Sequence, residues 1–229
     1  MQQANIYGLD IETDCRTNGL DPAVAPVVTV ALSGRKLDEV FSGPEDELLR
    51  ALDERLAVLE PGVIATWNGS TFDLPFIADR ARLLGLGLGL QLCADHRLTL
   101  RRDPLPGHAG AYRAAWFHHS HIDTFRLYGQ SGPSSPWGSL RVIGRVLGLA
   151  GIGHGQHSAG HPQVLTNEAL HAHAPSDARL ARVLAERRWS VASRMVDHLE
   201  PVDAQEVSVA AGRLERQARH RQRVLTVPA

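Results

Sequence analysis

Asp10 and Glu12 are separated by one residue, Ile11, in a segment otherwise rich in Ile and Leu. Side chains on a strand alternate between faces, so both carboxylates emerge on the same face about 7 Å apart. Two acids so placed repel each other and resist leaving water, and a fold that keeps them needs a compensating positive charge. A divalent cation supplies that charge; a solvated sheet face is the bland alternative. A third acid, Asp73, ends the run Asn68-Gly69-Ser70-Thr71-Phe72-Asp73, which follows a short apolar segment and opens a helical pattern. At such a βα junction a polar side chain either points into a crevice or caps the first turn of the helix.

The elements that must position these acids are legible from periodicity. The pattern predicts strands over 5–13, 26–33 and 38–42, the last two separated by Gly34-Arg35-Lys36, hence an antiparallel meander. Ser42-Gly43-Pro44-Glu45 reads as a capping box, and Leu48, Leu49, Leu52, Leu56 and Leu59 recur at helical spacing until Pro61-Gly62. A buried strand is expected over 63–67 and a helix over 72–84, closed by Gly85. Between 85 and 118 the signal fades, including a Leu98-Thr99-Leu100 piece, and a hairpin or insertion is expected. Then come a strand over 121–127, a Pro/Gly/Ser loop over 129–138, a helix over 140–149 and a Gly- and His-rich surface loop over 151–165. A long helix is expected from Asp177 up to Pro201, and a C-terminal helical extension over 203–223. A meander followed by alternating elements argues for an α/β fold, a mixed sheet flanked by helices, in one domain over 1–229.

Composition sets limits on function. The 229 residues are 43% hydrophobic and 21% charged, as expected of a globular chain with a substantial core. With Lys+Arg 24 against Asp+Glu 25, there is no global positive field to grip long duplex, so any contact with nucleic acid is local. Cys15 and Cys93 make neither a disulfide scaffold nor a CxxC site. No basic stretch followed by an apolar signal segment is present, and nothing approaches the ~20 apolar residues of a membrane span, so a cytoplasmic location is expected.

Gly8-Leu9-Asp10-Ile11-Glu12-Thr13 resembles the first motif of the DEDD (DnaQ-like) 3′-to-5′ exonucleases, whose fold is ribonuclease H-like. Asn68 to Phe76 is similar to the second motif, above all as found in the proofreading domain of family B DNA polymerases. His173-Ala174-Pro175-Ser176-Asp177 stands where the third is due, a Tyr or His ahead of an Asp on a late helix. In the family a Tyr precedes its Asp by three intervening residues and a His by four; here a His holds the three-residue spacing, and the four-residue position is Ala172. Pro175 is disfavoured inside a helix and suits a first turn, which would leave His173 just ahead of it. His171 is a second candidate base.

The resemblance implies phosphodiester hydrolysis from the 3′ end of a single strand, DNA favoured over RNA, by two divalent ions, Mg2+ or Mn2+. It implies Asp10, Glu12 and Asp177 as direct metal ligands, Asp73 as the holder of the second ion, and His173 as general base. Leu9, Thr13, Asn68 and Phe72 resemble positions around the terminal nucleotides, though Phe72 fits an ordinary core equally. RNA trimming, or a binding module without turnover, are the alternatives. Gly85 to Leu90 lacks the context of a dinucleotide loop; His118, His119 and His121 lack a further zinc ligand. Asp123 is either a support for the site or a local cap. Arg216, Arg219 and Arg223 form a stripe that a solvated face explains.

Overall fold

The computed structural model describes residues 4–14, 16, 18–95, 105–128, 139–149 and 167–199, and along 167–173 the course of the helix alone. The opening meander is present as β1 (Asn5–Thr13), β2 (Val27–Ser33) and β3 (Asp38–Ser42). Then follow α1 (Glu45–Val58), β4 (Gly62–Thr66), α2 (Asp73–Leu83), β5 (Leu90–Ala94), β6 (Tyr112–Trp116) and β7 (His119–Asp123). The remaining described elements are α3 (Phe125–Tyr128), α4 (Leu140–Val146), α5 (Asn167–Arg187) and α6 (Trp189–Ala192). The strands form one mixed sheet in the order β3-β2-β1-β4-β7-β6-β5. β1, β4 and β7 run parallel to their neighbours among themselves, and the remaining pairs are antiparallel. The α/β reading and the ribonuclease H-like arrangement of the sheet are thus both present.

β1 has its two faces in different surroundings. Tyr7, Leu9 and Ile11 point into the main core, where Leu48, Leu49, Leu52 and Leu56 of α1 and Leu74, Phe76 and Ile77 of α2 meet them. Ile6 lies with Val63, Ala65 and Ile122 on the opposite face, beneath Ala185 of α5 and Ala192 of α6. Helices therefore cover both sides of the sheet. Leu52 and Leu56 are fully enclosed, and truncating either to Ala would cost about 2–5 kcal/mol.

The expected hairpin between 85 and 118 is partly described: β5 and β6 pair antiparallel and extend the sheet past β7. Residues 98–100, the 129–138 and 151–165 loops and the 203–223 helix lie outside the described residues. Three expectations need correction. Ser42 ends β3 instead of capping α1, whose N-cap is Pro44 with no side-chain cap bond. The Glu45 carboxylate instead accepts the Val27 N–H (2.7 Å) and pairs with Arg80 (2.5 Å), tying α1 to β2 and α2. The strand expected over 121–127 stops at Asp123, where Asp123 Oδ1 accepts the Phe125 N–H (3.0 Å) and opens the short α3. Finally, α5 runs from Asn167 to Arg187 and not from Asp177 up to Pro201, so Pro175 is interior and Asp177 is mid-helix. Packing outweighs the local preference: Ala174 and Ala178 seat this stretch of α5 directly on Ala31 of β2.

Candidate active site

The site grows from a mismatch in strand length. β1 pairs with β4 only from Asn5↔Gly62 to Gly8↔Ala65, and β4 ends at Thr66. Beyond Gly8 the β4-side edge of β1 has no strand to pair with, and the chain between β4 and α2 fills the gap. Ile11 N–H donates to Asp73 Oδ1 (3.3 Å) in place of a strand carbonyl. Asp73 is therefore not the helix cap, a position held by Phe72; it is a buried carboxylate aimed at β1. Such a crevice at the carboxyl ends of parallel strands is where ligands bind in α/β sheets.

Asp123, buried at the end of β7, fixes the loop that delivers Asp73. Its Oδ1 accepts the Asn68 N–H (2.8 Å) and its Oδ2 the Ser70 N–H (3.3 Å). Asn68 adopts a left-handed φ of 67°, a conformation Asn tolerates better than most residues. Its side-chain oxygen accepts from Thr71 Oγ1 (2.7 Å), and the residue is exposed at the crevice edge. Sequence reasoning left Asp123 between supporting and capping roles; its three amide partners make it both.

The third side of the crevice is α5. It crosses the face of β1 that carries Gly8, Asp10 and Glu12, and Gly8 permits the approach: a Cβ there would overlap the Ala178 carbonyl oxygen and sit 2.8 Å from its carbon. Asp177 immediately precedes this contact, so the close crossing delivers its carboxylate to the same region.

The electrostatics record the convergence. Burial pushes the Asp10 carboxyl well above the usual range, reinforced by the negative charges of Asp73, Asp177 and Glu12. Glu12 is pushed up to about 7 by burial and by Asp177, and Arg141 of α4 opposes both shifts. Asp73 is raised to about 7, first by burial, with Asp123 and Glu12 adding to it and backbone amides offsetting part. Arg141 bonds to Asp177 at 3.0 and 3.4 Å. Among the described residues, no three of His, Cys, Asp and Glu close into a ready-made metal cage. The donor set nevertheless suits a hard divalent cation, being oxygen anions held together at an electrostatic cost that such an ion would relieve.

Other expected site residues fare differently. Leu9 is fully enclosed in the core on the face of β1 away from Asp10, so its side chain offers no surface to a nucleotide. The Thr13 hydroxyl is buried and donates to the Gly19 carbonyl (2.6 Å). Phe72 is half-buried, packed at 5.4 Å on Phe76 at the margin of the core. His171 and His173 both fall on α5, and their side chains lie outside the described residues. His119 Nε2 donates to the Leu56 carbonyl (2.9 Å) and His121 bridges Thr66 and Asp197, so these two have structural duties. Sequence reasoning missed Gly8 as a packing residue and Arg141 altogether. The available signal for Arg141 was a cation in the first turn of a helix, the end that disfavours one.

Residues 28–132 match the model of the DNA polymerase family B exonuclease domain. Over these residues, just under half of the chain, it is similar to that exonuclease domain. A 111-residue stretch is 28% identical to DNA polymerase 2 of Aeropyrum pernix, covering 47% of this chain and 13% of that protein. The family B DNA polymerase of the archaeon Pyrobaculum calidifontis shares the fold at a TM-score of 0.59 and 19% identity, covering 81% of this chain and 24% of that one. The chain thus corresponds to a small part of each of these relatives. Among the described residues, no helix is long and apolar enough to cross a membrane.

Proposed function

We propose that this domain is a 3′-to-5′ exonuclease that removes nucleotides from single-stranded DNA. The observation that supports it is the gathering of Asp10, Glu12, Asp73 and Asp177 at the carboxyl end of β1, where burial and the neighbouring negative charges raise the carboxyls of Asp10, Glu12 and Asp73. Two divalent ions, Mg2+ or Mn2+, held by these four acids would polarise the scissile phosphate and lower the pKa of the attacking water. The chain's own contribution is to keep four hard anions on rigid elements, with Asp73 braced by Ile11 and Asp123. His173, one helical turn before Asp177 along α5, is the general base in this reading, since an imidazole with pKa near ~6.5 accepts a proton at neutral pH. Asn68 holds the strand by hydrogen bonding, and the exposed part of Phe72 meets a terminal base, a contact worth ~1–3 kcal/mol.

The test is a 5′-labelled single strand incubated with Mg2+ or Mn2+. The natural chain should shorten it stepwise from the 3′ end, faster at pH 8 than at pH 6, and Asp10→Ala should abolish the shortening. Shortening that survives Asp10→Ala would remove the metal assignment. His173→Ala should lower the rate at pH 8 while His171→Ala leaves it; the reverse would move the base to His171. An RNA strand run in parallel decides sugar preference.

A further inference from the structure

We propose that Arg141 is a phosphate-binding residue of this site, held on Asp177 until a divalent cation takes that carboxylate and frees the guanidinium for the strand. The inference rests on the reading of the four acids given above. It begins with the poor structural return of the ion pair. Among the described residues, Arg141 hydrogen-bonds to Asp177, at 3.0 and 3.4 Å, longer than the ~2.7–2.9 Å of a strong charge-assisted bond. The arginine side chain is 46% exposed against 15% for Asp177, and an ion pair with its cation this open to water adds little to stability. It is not needed to hold α4 on α5, because Leu140 and Ile143 already pack against Leu180 and Leu184.

The placement is also costly by local rules. Arg141 is the second residue of α4, whose first turn holds no acid, and a cation there opposes the helix dipole. Residues that break a local preference without structural gain point to function. Two other arginines of this face are engaged elsewhere: Arg179 pairs with Asp38, and Arg182 with Glu186 and Ser33. Arg141 is the cation that opposes the shifts of both Asp10 and Glu12.

The geometry then describes an exchange. The guanidinium sits on Asp177, and among the described residues no three acids close into a ready-made cage. A divalent ion attracts Asp177 more strongly than a half-exposed arginine does, and the arginine that it displaces stands at the rim with its planar fork unpaired. A phosphodiester beside the acids matches that fork, which binds phosphate oxygens two at a time.

The experiment uses the full chain with Arg141→Gln and Arg141→Lys. Mn2+ affinity is measured by calorimetry without nucleic acid, and affinity for a fluorescent single-stranded DNA oligomer by anisotropy in Ca2+ and in EDTA. Arg141→Gln should bind Mn2+ several-fold more tightly, yet bind the oligomer in Ca2+ roughly 10-fold more weakly, the loss of a charge-assisted contact. In EDTA the variant and the natural chain should bind the oligomer alike. Arg141→Lys should restore competition with Mn2+ but only part of the strand affinity, lacking the fork. In turnover, Arg141→Gln should raise KM more than it lowers kcat. Unchanged oligomer affinity in Ca2+, or an equal loss in EDTA, would overturn the proposal. If Mn2+ binding depends on Asp10 but neither affinity responds to Arg141, the metal reading stands and only the arginine exchange falls. If Asp10→Ala leaves Mn2+ binding intact, the metal reading falls first.

Discussion

The missing side chain of Gly8 is what lets the Ala178 carbonyl of α5 rest against β1. An added Cβ would overlap that carbonyl oxygen and also come within 3.0 Å of Arg182 Cβ. Because the obstruction is backbone, it cannot be relieved by a rotamer change, and α5 must lift. Asp177 is carried on the same turn, so Gly8→Ala should displace it from Asp10 and Glu12. The expected outcome is a stability loss of about 1–3 kcal/mol from overpacking and a fall in exonuclease rate of about 100-fold, as a misplacement near 1 Å can produce. Chemical denaturation and a labelled-strand assay check the two parts; a natural rate in a well-folded Gly8→Ala chain would show that the α5 crossing does not set the site.

Asp123 offers a different kind of control over the same site, through a loop. Asp123→Asn retains one acceptor but turns an amide donor toward a backbone N–H, setting donor against donor at Asn68 or Ser70. A buried donor left unsatisfied costs about 1–3 kcal/mol, and the loop it releases carries Asp73. Asp123→Asn should therefore lower both thermal stability and Mn2+ affinity, though Asp123 need not touch the ion. If calorimetry finds stability reduced with Mn2+ affinity intact, Asp123 serves the fold and not the placement of Asp73.

How far the sequence disclosed this arrangement depends on the range of the interaction. Asp10 and Glu12 were readable as one face of a strand because a period of two is a local rule. The α1 leucines were readable for the same reason, through a period near 3.6. The partner of Asp73 was not, since the Ile11 amide lies 62 residues away in sequence and is free only because β4 stops early. The capping box at Ser42 failed because Glu45 found better partners in Val27 and Arg80. The break expected near Pro175 failed because Ala174 and Ala178 are held by β2. Local pattern picked out the acids, and tertiary contacts decided what each one touches.

The metal-free chain should lose stability as pH rises. Glu12 and Asp73 are both raised to about 7, above the ~3.9–4.3 of unfolded carboxyls. Between those values the folded chain keeps protons that the unfolded chain has released, so the stabilisation is complete below about pH 4 and lost by about pH 7. These two groups should thus lower Tm between pH 5 and 8 in EDTA. Glu12→Gln removes one of them and should raise Tm at pH 8 by about 2–4 °C, the equivalent of ~1 kcal/mol for a chain of this size. Saturating Mn2+ should reverse the trend, because binding requires the deprotonated forms. Scanning calorimetry at several pH values checks this; a flat profile in EDTA would mean the acids are fully solvated.

Asp197 should be needed for stability and dispensable for the ion. Its carboxylate, 4% exposed as a residue, accepts from His121 Nδ1 (2.8 Å), the Ala114 N–H (3.2 Å) and Arg126 Nη1 (3.3 Å). Its own N–H donates to the His121 carbonyl (2.7 Å), so the chain after α6 is laced to β6 and β7. Asp197→Ala would leave an arginine, a histidine and an amide without their shared acceptor, and breaking a buried pair of this kind costs about 3–5 kcal/mol. With roughly 2–4 °C per kcal/mol, Tm should fall by about 6–20 °C. His121 also holds the Thr66 hydroxyl (2.9 Å) at the end of β4, but Thr66 is separately fixed through its carbonyl by Thr124 (2.6 and 2.9 Å). The chain leading to Asp73 therefore keeps its anchor, and Mn2+ affinity measured well below the lowered Tm should match the natural chain. A loss of Mn2+ affinity in folded Asp197→Ala would mean that the β6–β7 side of the sheet and the acid crevice are coupled.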